Sequence, residues 1–277
     1  MRILLIGDIV GRPGMHAASQ LIPRLRRERH LDFVVANAEN ATAGSGLTPA
    51  MFRKLIHYGI DVCTMGDHIY RKREIYDTLE ESDRIVRPAN FPAVAVGRDH
   101  TVVEASNGAK VAVVSLIGRI FMNLRADCPF HAVDRVFAAL PDEVRVRLVD
   151  VHAEATSEKV AMGWHLDGRA TAVVGTHTHV QTADERILPH GTAYISDLGM
   201  TGPHDSVLGR DKHAVTQSLI TGMPYAYHVA KHEPRLNGVI VECDSQTGRA
   251  LRIERVSQLE ESPIAGEGEE EHAHGDE

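Results

Sequence analysis

Two histidines, His177 and His179, stand one residue apart in the stretch AVVGTHTHVQ, residues 172–181, just after a short apolar run that ends in glycine. Imidazoles placed this way suit metal ligation, because neutral imidazole binds most first-row ions well. The pair alone says little, since a histidine at a strand end is commonly a turn or core residue. HAH, at His272 and His274, repeats the spacing in an acidic tail, and we assign it only adventitious metal affinity. Convergence carries the reading. Asp8, Glu39 with Asn40, Asp67 and His152 also follow or end short apolar segments, so five loops supply three imidazoles, three carboxylates and an amide.

This donor set lacks thiolate, which suits iron, manganese, zinc or nickel and argues against a structural zinc. Seven ligands are too many for one such ion and natural for two sharing a carboxylate, about 3.5–4 Å apart as in two-metal hydrolases. Two ions so held polarise a phosphoryl oxygen and acidify a bridging water, giving hydroxide for in-line attack. His68, beside Asp67, is the candidate catalytic residue, protonating the leaving oxygen or stabilising the transition state.

These residues need strands to position them. RILLIG (2–7), FVVAN (33–37), DVCTMG (61–66), KVAVVSLIG (110–118), VRLVDVH (146–152) and TAVVG (171–175) read as buried strands. Helix-like stretches lie at 15–29, 49–58, 72–82, 130–140 and 154–166, the second with Thr48 as N-cap, Pro49 in the first turn and Gly59 as a stop. The alternation predicts an α/β fold with helices on both faces of the sheet structure, where ligands gather beyond the carboxyl ends of strands. GTAYIS, AYHVAKHE, GVIVECD and ALRIERVS read as antiparallel strands, making the sheet mixed or doubled.

With 277 residues, 43% of them hydrophobic, the chain can bury a sizeable core, and one domain over 1–257 is expected, followed by an acidic, disordered tail over 258–277. The net charge of −8 gives no strong signal for direct nucleic-acid binding, and the basic run RLRRER (24–29) reads as a solvated helix face. No apolar run approaches the roughly 18 residues of a membrane span, and the N-terminus reads as a buried strand and not a signal peptide. Cys63, Cys128 and Cys243 are odd in number and scattered, which fits core thiols in a reducing cytoplasm. Trp164 is expected in the core. GDIVGRPG does not fit a dinucleotide fingerprint, since its glycines are misplaced and Asp8 would repel a pyrophosphate.

GDIVGRPG, ANAENATAGSGLT, GDHIYRKREI and the long segment from DVHAEATSEK to ISDLGMTGP together resemble the bacterial YmdB-type branch of the calcineurin-like metallophosphoesterases, over nearly the whole chain to about residue 257. The resemblance implies a four-layered sandwich of two mixed sheets flanked by helices, with a dinuclear centre, most often of iron, manganese and zinc being the alternatives. It implies hydrolysis of 2′,3′-cyclic nucleotides and related small phosphodiesters, an influence on RNA turnover and a homo-oligomer. It makes Asp8, Glu39, Asn40 and His179 ligands of one ion and Glu39, Asp67, His152 and His177 ligands of the other, with Glu39 bridging and His68 as proton donor. One position departs from the family pattern, which has asparagine where this chain has Asp67. The extra carboxylate leaves the dinuclear site with one formal positive charge instead of two. Either it favours a higher-valent ion or raises the pH optimum, or Asp67 ligates through one oxygen with little consequence.

Three functions fit these features: a two-metal phosphodiesterase, a phosphomonoesterase or nucleotidase using the same metals, and a regulatory protein with a non-catalytic metal centre. His68 argues against the last, because a purely structural site needs no acid beside it. GRDKHAV (209–215) and DLGMTGPHDS (197–206) either border the pocket, with Arg210 or Lys212 contacting phosphate, or form exposed loops.

Overall fold

The structure, a computed structural model, describes residues 1–262 and residue 264. The chain first lays down β1 (Arg2–Ile6), β2 (Asp8–Ile9), α1 (Gly11–Glu28), β3 (Phe33–Asn37), α2 (Pro49–His57), β4 (Val62–Thr64), α3 (Tyr76–Glu81) and β5 (Ile85–Val86). It then builds β6 (His100–Glu104), β7 (Lys110–Ile117), α4 (Pro129–Ala139), β8 (Val146–His152), α5 (Thr156–His165), β9 (Ala172–Thr176), β10 (Arg186–Ile187) and β11 (Ala193–Ile195). It closes with β12 (Met200–Pro203), α6 (Lys212–Thr221), β13 (Pro234–Cys243) and β14 (Ala250–Leu259).

The first five strands and the last three form one mixed sheet, and β6 to β11 form the other. In the first, β1, β3, β4 and β5 run parallel, while β13 returns antiparallel against β1 with Leu4 opposite Ile240. In the second, β7, β8, β9 and β11 are parallel, and β6 and β10 form antiparallel edges.

Alternation along the strands decides the layers. Ile3, Leu5, Phe33 and Val35 face Val111, Val113, Leu148 and Val174 across the gap between the sheets. Leu4, Ile6, Val34 and Ala36 face the other way, onto Leu21 and Ile22 of α1 and Leu55 of α2. Val114, Val149 and Val173 likewise pack on Val133 and Val136 of α4 and Met162 of α5. The result is the expected four-layered α/β sandwich, with strands buried on both faces because helices cover each sheet.

Several local readings change. Helix α1 starts at Gly11 and not at 15, because Gly11 at φ +57° turns the chain straight out of β2 and Pro13 sits in the first turn, where its missing N–H costs little. The polar stretch at 209–215 starts α6, capped by Asp211 accepting from the Ala214 N–H. Only Val215 of that helix is buried, so no apolar periodicity announces it. AYHVAKHE is irregular apart from one bridge between Val229 and Arg210. Trp164 is 52% exposed, under the Arg186 guanidinium, because the inward face of α5 is set by Glu158, Lys159, Met162 and Gly163. The expected boundary at 257 falls inside β14, and most of the expected tail, with His272 and His274, lies outside the described residues. Arg26 and Arg29 of the basic run pair with Asp61 and Glu254.

Candidate metal centre

Both sheets end at the same rim. Asp8, Glu39 with Asn40, and Asp67 with His68 come from or just beyond β2, β3 and β4 of the first sheet, while His152 ends β8 and His177 and His179 follow β9 of the second. All seven expected ligands and His68 therefore gather where the two carboxyl edges meet.

One donor atom each from Glu39, Asp67, His152 and His177 lies within 4.8 Å of the others. His152 Nε2 stands at the centre of this set, 3.2 Å from Glu39 Oε1, 3.0 Å from Asp67 Oδ1 and 3.0 Å from His177 Nδ1. On the other side of Glu39, Asp8 Oδ1 is 3.7 Å from His179 Nε2, and the Asn40 amide nitrogen is 3.5 Å from the same ring nitrogen. The Asn40 amide also donates to Glu39 Oε1 at 3.2 Å, so Glu39 touches both groups. In this orientation Asn40 Oδ1 accepts from His68 Nδ1 at 2.7 Å, and its second lone pair remains for a cation.

The electrostatics ask for positive charge. Asp8, Glu39 and His152 are buried, and Asp8 Oδ1 has no hydrogen-bond partner. An orphaned buried carboxylate oxygen is costly unless a cation faces it. Burial pulls the His152 pKa down, but the charge of Glu39 and hydrogen bonds to Asp67 and Glu39 outweigh it and hold it well above the ordinary value. His179 is likewise raised, Asp8 outweighing burial. Burial pushes Asp8 and Asp67 up, yet their histidine neighbours prevail and hold both far below the carboxylate range. Burial, then the His152 charge, lowers His177. The residues present fit bound metal cations.

Each imidazole is oriented from behind. His152 Nδ1 donates to Thr176 Oγ1 at 2.9 Å, and that hydroxyl donates to Asp150 Oδ1 at 2.7 Å. His177 Nε2 faces Glu154 at 3.2 Å, and His179 Nδ1 donates to the Leu208 carbonyl at 3.0 Å. Such partners fix the tautomer and turn the other nitrogen toward the ion. His177 and His179 adopt φ of +94° and +64°, strained for any residue but glycine. The intervening Thr178 holds them there, donating from both its N–H and its hydroxyl to Asp197, which is buried in an ion pair with Lys159.

His68 stands at the edge of this array. Its N–H donates to Glu39 Oε2 at 2.9 Å, its Nε2 is 3.5 Å from Asp67 Oδ2, and its side chain is 25% exposed to a cavity of about 290 Å³. Arg210 lines that cavity too, whereas Lys212 starts α6 and pairs with Asp205. Sequence reasoning missed Asp150, Thr64, Thr176, Lys159 and Asp197. Asp150 had a signal: it shares with His152 an inward strand face that otherwise holds Val146 and Leu148, and there it bridges Thr64 of the first sheet and Thr176 of the second.

A family model described as YmdB-like protein matches residues 4–256. The chain is 47% identical over 256 residues, 92% of its length and 96% of the relative's, to a Bacillus subtilis protein named 2′,3′-cyclic-nucleotide 2′-phosphodiesterase. A crystal structure of a hypothetical protein from Thermus thermophilus superposes with a TM-score of 0.87 at 38% identity, covering 94% of this chain and all of that one. A structure described as a novel phosphatase, from Mycoplasma pneumoniae, superposes with a TM-score of 0.88 at 31% identity, covering 95% of each chain. A match of this extent, on a sandwich whose two sheets bring their ligands to one rim, makes the chain a member of the YmdB-like protein family.

Proposed function

We propose that this protein is a metal-dependent phosphodiesterase that opens 2′,3′-cyclic nucleotides. The observation that carries the reading is the four-donor cluster of Glu39, Asp67, His152 and His177 with the orphaned Asp8 oxygen beyond it, in a chain whose relative bears the activity in its name. Asp8, Asn40 and His179 would hold one ion and Asp67, His152 and His177 the other, with Glu39 between them. The donor set suits iron, manganese or zinc alike, and the family resemblance puts iron first. Ions there would polarise the phosphoryl group and acidify water for attack.

The chain's own residues supply the rest. In opening the cyclic ester, a water oxygen bonds to phosphorus, the P–O2′ bond breaks, and the leaving 2′-oxygen takes up a proton. His68, held by Asn40 and Glu39 at the cavity wall, gives that proton. The strained His177–His179 turn keeps two imidazoles preorganised, so little reorganisation is left for the reaction. Ligands from both sheets support reading residues 1–257 as one domain, whose last strand runs on to Leu259. The three unpaired cysteines support a cytoplasmic setting, and no helix among the described residues is long and apolar enough to cross a membrane.

The test is hydrolysis of 2′,3′-cyclic AMP, bis(p-nitrophenyl) phosphate and p-nitrophenyl phosphate by purified protein with manganese, iron or chelator. Diester turnover should vanish with chelator and fall about 10²–10⁴-fold in His68→Ala, metal content being retained. Turnover of the monoester alone would make the protein a phosphatase, and full activity in His68→Ala would remove that residue from the mechanism.

A further inference from the structure

Arg210 lines the metal-facing cavity and also a second cavity beside it. The first, about 290 Å³, lies at the small end of the roughly 300–1,000 Å³ that small-molecule sites occupy. The second adds about 400 Å³. Arg210 is fixed at their junction, Nη2 donating to the Gly44 carbonyl at 2.6 Å and Nη1 to the Tyr227 carbonyl at 3.4 Å. A guanidinium carries five N–H donors, and these carbonyls take two. Burial, with no carboxylate to counter it, pulls its pKa down: the charge sits half-buried without an anion.

Among the described residues, the walls of the second cavity include His228 and Lys231 and no Asp or Glu, although the chain as a whole carries −8. Helix α1 begins at this wall. Its N-cap, Val10, has no side-chain hydrogen bond, and its first turn holds no acidic residue. The partial positive charge of that helix end is therefore not neutralised from within the helix. Tyr227, 45% exposed, adds an aromatic face.

We infer that the cavity beyond Arg210 is a second anion subsite, and that the favoured substrates are 2′,3′-cyclic nucleotides carrying a phosphate at the 5′ position. The inference rests on the phosphodiesterase reading above. In such a nucleotide the cyclic ester and the 5′ carbon lie at opposite ends of the ribose, so with the ester at the metal centre a 5′-phosphate extends away from it, past Arg210. That phosphate is either terminal or the link to a preceding nucleotide.

The experiment compares kcat/KM for three substrates on metal-loaded enzyme: adenosine 2′,3′-cyclic phosphate, the same compound with a 5′-phosphate, and the dinucleotide ending in the same cyclic ester. The expected result is a preference of about tenfold or more for a 5′-phosphorylated form, falling toward unity in Arg210→Met and in Lys231→Met. Preference for the terminal phosphate alone assigns a mononucleotide, and equal or greater preference for the dinucleotide assigns a strand end. Equal turnover of all three by the unaltered enzyme overturns the subsite and leaves the phosphodiesterase reading intact. Calorimetry with adenosine 3′,5′-bisphosphate against adenosine 3′-phosphate tests the subsite without turnover. Tighter binding of the bisphosphate, lost in both variants, supports it even if the cyclic esters are not hydrolysed, and equal binding overturns it.

Discussion

Nδ1 of His152 donates to the Thr176 hydroxyl at 2.9 Å, which in turn donates to the buried Asp150 carboxylate at 2.7 Å. The relay determines which imidazole nitrogen faces Glu39 and Asp67, so Thr176 is a positioning residue for the metal centre. Thr176→Val keeps the shape and removes the oxygen, leaving the His152 donor and an Asp150 acceptor unsatisfied. Metal affinity should drop about 10–100-fold, read by titration with a competing chelator, while Thr176→Ser restores most of it. Unchanged affinity in Thr176→Val would mean that neighbouring contacts alone orient His152.

Gly66 precedes Asp67, and a Cβ there would stand 2.3 Å from His152 Cδ2 and 2.5 Å from Glu39 Oε2. Two ligands of the proposed centre thus occupy the space that any side chain needs. Gly66→Ala should fold yet lose most bound metal and diester turnover, measured by metal analysis and by the cyclic-AMP assay. Full metal content would show that the ligands can shift by the required distance without penalty.

The convergence of the candidate ligands on one rim is legible because these polar residues interrupt or end apolar strands, and the parallel arrangement brings such ends together. The residues behind them are not, since a threonine in a strand, such as Thr64 or Thr176, fits β-structure without any function. Nothing in the stretch 154–166 distinguishes Lys159 from the other charged residues of a helix, and only the packing of α5 on β9 reveals that its ammonium is buried against Asp197. Trp164 departs from its expected place for the converse reason: a large apolar residue suggests the inward face, whereas the helix turns it outward. Helix α6, with one buried residue, carries no periodic pattern from which to read it.

The resemblance leads one to expect asparagine at position 67, where this chain has Asp67, and Asp67 Oδ1 sits 3.0 Å from His152 Nε2 and 3.6 Å from His177 Nδ1. Its charge thus acts directly on the donors of the second proposed ion. Asp67→Asn should retain less iron after dialysis and shift the pH optimum of diester hydrolysis downward, because the centre becomes more positive. An identical profile and metal content would show that Asp67 behaves as a neutral oxygen donor.

Metal binding should depend on pH in a definite direction. In the metal-free protein His152 and His179 have raised pKa values, so their charged forms add stability that is complete below the unfolded value near 6.5 and is lost as pH rises through the folded values. Asp8 and Asp67 act oppositely, their contribution present above about pH 4 and lost on acidification. A cation must displace the protons of His152 and His179, so its binding strengthens with pH. The gain in Tm on adding manganese to chelator-treated protein should therefore widen from about pH 6 to pH 8. A gain that does not vary with pH would exclude these histidines as the ligands.

Lys159 Nζ lies 2.7 Å from Asp197 Oδ2, both side chains are at most 2% exposed, and the same oxygen accepts from the Thr178 N–H and hydroxyl between the two strained histidines. Lys159→Met removes the cation and leaves the carboxylate buried without its counter-charge, which costs about 3–5 kcal/mol. For a domain of this size the expected fall in Tm is roughly 6–10 °C by calorimetry, at about 2 °C per kcal/mol. Because Thr178 hangs on the same carboxylate, the variant should also retain less metal at a temperature where it is fully folded. The double variant Lys159→Met with Asp197→Leu removes the orphaned charge and should recover much of the Tm. It should not recover the metal, since Thr178 has then lost its acceptor, and the contacts that remain, such as the His177 N–H on Asp8 Oδ2 at 3.1 Å, do not replace that anchor between the two histidines. Recovery of both together would mean that the ion pair serves the fold alone, and that the turn is held by its own packing.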